Sequence, residues 1–185
     1  MRRLAVLAVG AVALAGCGGA STPTITTTTT TAVKKADPTS AMENLIAKNP
    51  AYAGTVKVLF DTGDWAVVQS FDGKTAHAVA FRNVNGTWVP DRTGKVKVSV
   101  LGPQPGTTAP RLTQVAIGIA SKLPFVDSGL WVDGKELFEK GGGSATRGTV
   151  YGAPAKPVAP GTHVAVGYAR NILNGTAVAW VFKTA

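Results

Sequence analysis

Side chains able to do chemistry are few in this chain, and they are scattered. One cysteine, Cys17, and two histidines, His77 and His163, stand among 185 residues. A lone thiol excludes a disulfide framework and a cysteine-based metal site. No carboxylate lies near either histidine at ligand spacing, so the pattern makes no provision for a metal ion. There is no G-x-S-x-G turn, no G-x-x-x-x-G-K-[ST] loop and no G-x-G-x-x-G ahead of a helix. Gly141-Gly142-Gly143 has neither a lysine nor a following helix to hold phosphate, and reads as a flexible loop. The residues therefore point to no catalytic group, no cofactor and no metal.

One stretch argues for an exception. Val58-Leu59-Phe60-Asp61-Thr62-Gly63 resembles the apolar-apolar-Asp-Thr-Gly loop of aspartic proteases, and Ala116-Ile117-Gly118 resembles the apolar-apolar-Gly element of retroviral-type members. The resemblance implies an aspartic-type peptidase acting through Asp61. That mechanism needs two aspartates sharing one proton. A second Asp-Thr-Gly or Asp-Ser-Gly is absent, so a dimer would have to supply it, and Asp64 stands where that family carries alanine or serine. Read as residues alone, Asp61 to Asp64 is a polar hairpin turn. The tryptophans, Trp65, Trp88, Trp131 and Trp180, fall on predicted strands at no common spacing, which suits core packing better than a row for stacking a ligand.

Cys17 has a more definite context. Met1-Arg2-Arg3 is a positive start, residues 4–13 are an uncharged Leu/Ala/Val/Gly run too short to span a bilayer, and Leu14-Ala15-Gly16-Cys17 follows at once. This tetrapeptide resembles the lipobox of bacterial lipoproteins. The resemblance implies a signal peptide over residues 1–16, cleavage before Cys17 and lipid attachment to its thiol, palmitate included. Two acyl chains on one thioether, at roughly 0.8 kcal/mol per buried methylene, suffice for stable anchoring. The expected location is the cell membrane, lipid-anchored and facing outside the cytoplasm.

Residues 17–39 should be the tether. Six threonines, residues 26–31, follow Gly18-Gly19-Ala20-Ser21-Thr22-Pro23-Thr24-Ile25, and almost nothing here can be buried to offset the entropy of ordering it. A flexible chain of about 23 residues spans about 25 to 30 Å. In composition the stretch resembles the stalks of actinobacterial lipoproteins, which implies a site for O-linked sugar; as residues alone it is a bare spacer.

The remainder is expected to be mainly β and to form two joined sub-domains. Many glycines and prolines with few aromatic residues describe short strands and turns. Residues 40–102 read as a small α+β unit. Its helix spans about 38–49, with Thr39 or Ser40 as cap, Glu43 completing a capping box, and Met42, Leu45 and Ile46 on one face. An antiparallel meander follows over 56–60, 65–69, 77–82, 87–90 and 95–101, joined by Asp72-Gly73, Asn85-Gly86 and other turn residues. Val96, Val98 and Val100 alternate with Lys95, Lys97 and Ser99, so the last strand has one wet face.

Residues 103–185 carry a second resemblance. Leu130-Trp131-Val132-Asp133-Gly134-Lys135, Val150-Tyr151, Pro160-Gly161-Thr162-His163-Val164 and Trp180-Val181-Phe182 follow one another as in the bacterial Ig-like modules of envelope proteins, where V-D-G, P-G-x-H and W-x-F mark successive strands. The resemblance covers about 75 residues and implies an Ig-like β-sandwich with His163 as a strand histidine in a structural, hydrogen-bonded role. It departs at Gly141-Gly142-Gly143-Ser144 and at Tyr168-Ala169-Arg170-Asn171, where that family carries an acidic residue. Short alternating strands separated by turn signals point to the same class.

Charge adds a partner. Loss of Arg2 and Arg3 with the leader takes the formal charge from +9 to +7, spread as single lysines and arginines. Such a surface attracts anionic headgroups or cell-wall polymers, and lacks the clusters of a nucleic-acid binder. The expected function is a lipid-anchored, extracytoplasmic, non-catalytic binding or structural module of the cell envelope. Its partners would be the membrane and either an envelope protein or an anionic cell-wall polymer. The rivals are the Asp61 peptidase and a ligand carrier or inhibitor binding through the hairpin loops near Asp61 to Asp64 and Gly141 to Arg147.

Overall fold

In the computed structural model of the protein, residues 37–185 are described. The leader, Cys17 and the tether through residue 36 lie outside them. Helix α1 (Pro38–Lys48) takes the last two residues expected of the tether. Asp37 caps it, in place of Thr39 or Ser40: its Oδ1 accepts from the Thr39 N–H at 3.0 Å. Pro38 then sits in the first turn, where a missing N–H leaves no bond unmade. At the other end the Asn49 side chain accepts from the Ala51 N–H and opens a single 3-10 turn, Pro50–Tyr52.

The first sheet is the expected meander, β1 (Thr55–Asp61), β2 (Trp65–Phe71), β3 (Ala76–Val84) and β4 (Thr87–Pro90), paired in that order. Asn85 and Gly86, at φ of 51° and 84°, form the two-residue turn between β3 and β4. The helix lays Met42 and Leu45 on one face of this sheet, against Ala66, Val68, Phe81 and Trp88. Val67, Ala76 and Ala80 point the other way, into a second core.

Two further sheets form the β-sandwich. One contains β5 (Val96–Gly102), β7 (Val115–Ser121), β10 (Phe138–Ser144) and β11 (Arg147–Ala153), in the order β10-β11-β7-β5. The other contains β6 (Thr108–Ala109), β8 (Phe125–Val132), β9 (Lys135–Glu136), β12 (Gly161–Asn171) and β13 (Gly175–Thr184), in the order β6-β13-β12-β8-β9. Neighbours are antiparallel, except that β6 runs parallel to β13. Taken in chain order, the first of these sheets is the D-E-B-A sheet of an immunoglobulin sandwich and the second its G-F-C sheet with short edge strands added. Val115, Ile117 and Val150 meet Leu130, Ala165 and Phe182 between them.

Residues 96–102 therefore start the sandwich. The sequence reading places them at the end of the first unit and the boundary at 103, whereas β5 pairs with β7, Val98 opposite Ile119 and Val100 opposite Ile117. Alternation showed that Val96 needs a core but could not say which. Gly141-Gly142-Gly143 is a second correction: it forms edge strand β10 in register with β11, with Gly142 opposite Thr149. Glycine is depleted in strands and carries no alternation, so its composition reads as loop.

Strand β12 is covered on both faces. Val164, Val166 and Tyr168 pack toward the first sheet, and Ala165 and Ala169 toward β7. Gly167 is required between them, because a Cβ there would stand 2.6 Å from Ile117 Cγ2. The layers run helix, meander, β12 sheet, β7 sheet.

Candidate functional site

The V-D-G and P-G-x-H segments converge on a single contact. Asp133 and Gly134, at φ of 52° and 72°, form the two-residue turn between β8 and β9. The turn aims the Asp133 carboxylate at the start of β12. Oδ1 accepts from the Val164 N–H at 3.0 Å and Oδ2 lies 2.8 Å from His163 Nδ1. On the other side of the ring, Nε2 lies 2.8 Å from the Ala159 carbonyl and 3.1 Å from Thr184 Oγ1, whose own hydroxyl donates to Ala159 O at 2.7 Å.

Carboxylate, imidazole and hydroxyl in a line have the connectivity of a nucleophilic triad. The chemistry is closed off. His163 and Thr184 are both buried at about 5% exposure, and the hydroxyl that would attack gives its proton to a backbone carbonyl. None of the three residues lines the basic cleft, the groove beside α1 or the small hollow around Tyr52 and Asp91. The cluster is a clasp that fastens the β8–β9 turn, the start of β12 and the end of β13.

Asp61 lies at the exposed end of β1. Its Oδ1 accepts from the Gly63 N–H at 2.7 Å, while Thr62 Oγ1 accepts from the Trp65 N–H at 3.1 Å. Both groups are occupied in forming their own turn. Ala116-Ile117-Gly118 belongs to β7, in a sheet on the opposite face of the β12 layer, so the fold does not bring the two protease-like elements together. All four tryptophans are buried. Trp65 lies against Gly175 and beneath the Arg170 guanidinium, 5.9 Å from the ring centroid, and Arg170 also reaches Asp127 at 3.4 Å.

Shifted ionisations belong to the fold as well. Burial pushes the Glu139 carboxyl up, opposed by the Ser128 hydroxyl, which donates to Oε2 at 3.2 Å. Backbone N–H groups of Thr75 and Lys74 hold Asp72 down. Burial raises Tyr168 well above the phenol range, so its hydroxyl stays neutral. Among the described residues no three His, Cys, Asp or Glu side chains could jointly hold a metal ion, and no helix is long and apolar enough to cross a membrane.

An open cleft remains at the end of the sandwich away from the clasp. It has a volume of about 420 Å3 and lies among Lys95, Lys97, Lys122 and Arg147, with Asn171 and Ser121 at its floor. No carboxylate lines it. Register brings the cations together: Lys97 and Arg147 both stand opposite Ala120, one on each side of β7. The sequence shows only four separated charges, so this site was missed; the pairing of β5 with β7 is the signal that would have revealed it. A larger groove beside α1 mixes Asp37 with Lys48 and Arg92 and presents no single chemistry.

No family model matches the chain, and no curated protein matches it. Among solved structures it is similar to a chain of the titin M10–obscurin-like 1 Ig complex, at 16% identity and a TM-score of 0.32, over 48% of this chain and 93% of that one.

Proposed function

We propose that the protein is a lipid-anchored, extracytoplasmic, non-catalytic binding module of the bacterial cell envelope. The observation that carries this reading is Leu14-Ala15-Gly16-Cys17 directly after a basic start and a short apolar run. The folded part supports its binding half. Its triad-like cluster is spent on a strand junction, its Asp-Thr-Gly on a turn, and its free charge lines an open cleft. Rigid stacked sheets presenting hairpins are a scaffold for recognition.

Growth with a labelled fatty acid tests the anchor. The full chain should take up label and fractionate with membranes, and Cys17→Ala should do neither. Equal label in both would remove the anchor from the proposal. Pull-down from envelope extract with residues 18–185 tests binding, and an activity recovered from the same material would replace the module with an enzyme.

A further inference from the structure

We propose that the end of the sandwich around the basic cleft docks on an anionic lipid surface, with headgroup phosphates among Lys95, Lys97, Lys122 and Arg147 and with Ile172 and Leu173 entering the interface. Two independent features meet there. The first is charge. These four cations come from the start of β5, the β7–β8 turn and the start of β11, all are exposed, and none is ion-paired among the described residues. Four positive groups around about 420 Å3 with no acid present repel one another and are relieved by phosphate.

The second is an apolar tip beside them. The β12–β13 turn displays Ile172 and Leu173 at 66% and 50% exposure, and Val126 at the start of β8 is exposed at 49%. The turn is held firmly in this position. Asn171, only 1% exposed, accepts from the Leu173 and Asn174 N–H groups through Oδ1 and donates from Nδ2 to Ser121 Oγ at 2.8 Å. Arg82 secures the same turn from the meander side, donating to Leu173 O at 3.2 Å.

A rigid hairpin that holds adjacent aliphatic side chains in water, with a lysine-lined cleft along one side, is the pattern of an interfacial membrane contact. Its apolar groups leave water while its cations meet anionic headgroups. A soluble phosphate polymer would satisfy the lysines and leave the tip exposed, so the lipid surface accounts for both features. This deepens the envelope reading by naming the surface that the tethered unit touches. It does not depend on Cys17, because residues 18–185 carry the whole site.

The test is co-sedimentation of residues 18–185 with phosphatidylglycerol-rich vesicles and with vesicles of phosphatidylcholine alone. Binding should require phosphatidylglycerol and weaken with salt. Each lysine lost near an anionic surface should lower partition about fivefold, so Lys97→Ala with Lys122→Ala costs about 25-fold. Ile172→Ser with Leu173→Ser should cost at least about tenfold at constant charge. Lys135→Ala with Lys156→Ala, equal in charge but at the opposite end, should bind as the parent does. Thermal melts of each variant separate lost contact from lost fold. The proposal is overturned by equal loss in both lysine pairs, by no effect of the tip substitutions, or by binding only to soluble glycerol-phosphate oligomers. Loss of fatty-acid labelling with vesicle binding intact would sink the anchor alone.

Discussion

Asp133 and His163 are 30 residues apart and 2.8 Å from each other, and each is fixed by what lies behind it. Asp133 sits at positive φ in a turn that also bonds the Val164 N–H, and His163 is backed by Ala159 O and Thr184 Oγ1. His163→Ala should cost about 3 kcal/mol, since it opens a cavity and removes the ring that Asp133, Ala159 O and Thr184 Oγ1 all contact. Asp133→Asn keeps the turn conformation and the Val164 bond and should cost about half as much. Urea denaturation of both and of the double variant measures the pair. Additive losses would mean that the two side chains do not act together.

Asp61→Asn should change little. Asparagine accepts the Gly63 N–H as aspartate does, and an exposed turn substitution of this kind falls within about 0.5 kcal/mol. Casein digestion from acid to neutral pH should be absent with and without the substitution. Activity in the parent that vanishes in Asp61→Asn, at an unchanged melting temperature, would restore the peptidase.

Much of this fold was legible because local chemistry decided it. Asn85-Gly86 and Asp133-Gly134 adopt the positive φ angles that their residue types tolerate, and Met42 and Leu45 face a core as their spacing requires. The rest depends on distant pairing. Nothing within residues 96–102 says that their partners are β7 and a sheet completed 50 residues later, and that pairing alone gathers Lys97 and Arg147. The clasp was half visible: His163 had a structural reading, while its partner Asp133 is found only once β8 and β12 lie side by side.

Glu139 gives a pH dependence of definite sign. Its side chain crosses from β10 to Ser128 on β8, and burial raises its pKa above the ordinary 4.5. The folded state therefore holds the proton more tightly than the unfolded state. Its contribution is fully present below the unfolded value and declines as pH rises through the folded one. Glu139→Gln keeps an acceptor for Ser128 without the charge, so it should be more stable than the parent above that window and lose the decline. Asp72 has the opposite sign: its lowered pKa favours the fold above the unfolded value, and this is lost as pH falls through the folded one. Thermal melts of parent and Glu139→Gln from pH 4 to 8 check this, and parallel curves would show that Glu139 does not titrate in the fold.

Adjacent glycines in β10 should respond in opposite ways to one methyl group. At Gly142 a Cβ would meet nothing within 4 Å. At Gly143, with φ at 136°, it would stand 2.4 Å from the Arg147 carbonyl oxygen, a backbone atom that cannot turn aside. Gly142→Ala should therefore be neutral or slightly stabilising, by up to about 1 kcal/mol, through a less mobile unfolded chain. Gly143→Ala must break its pairing with Gly148 or distort the backbone, and should cost about 2 kcal/mol. Hydrogen exchange should show the loss confined to β10 and the start of β11. A loose loop would tolerate both substitutions equally, so equal melting temperatures would return these residues to the flexible segment that their composition suggests.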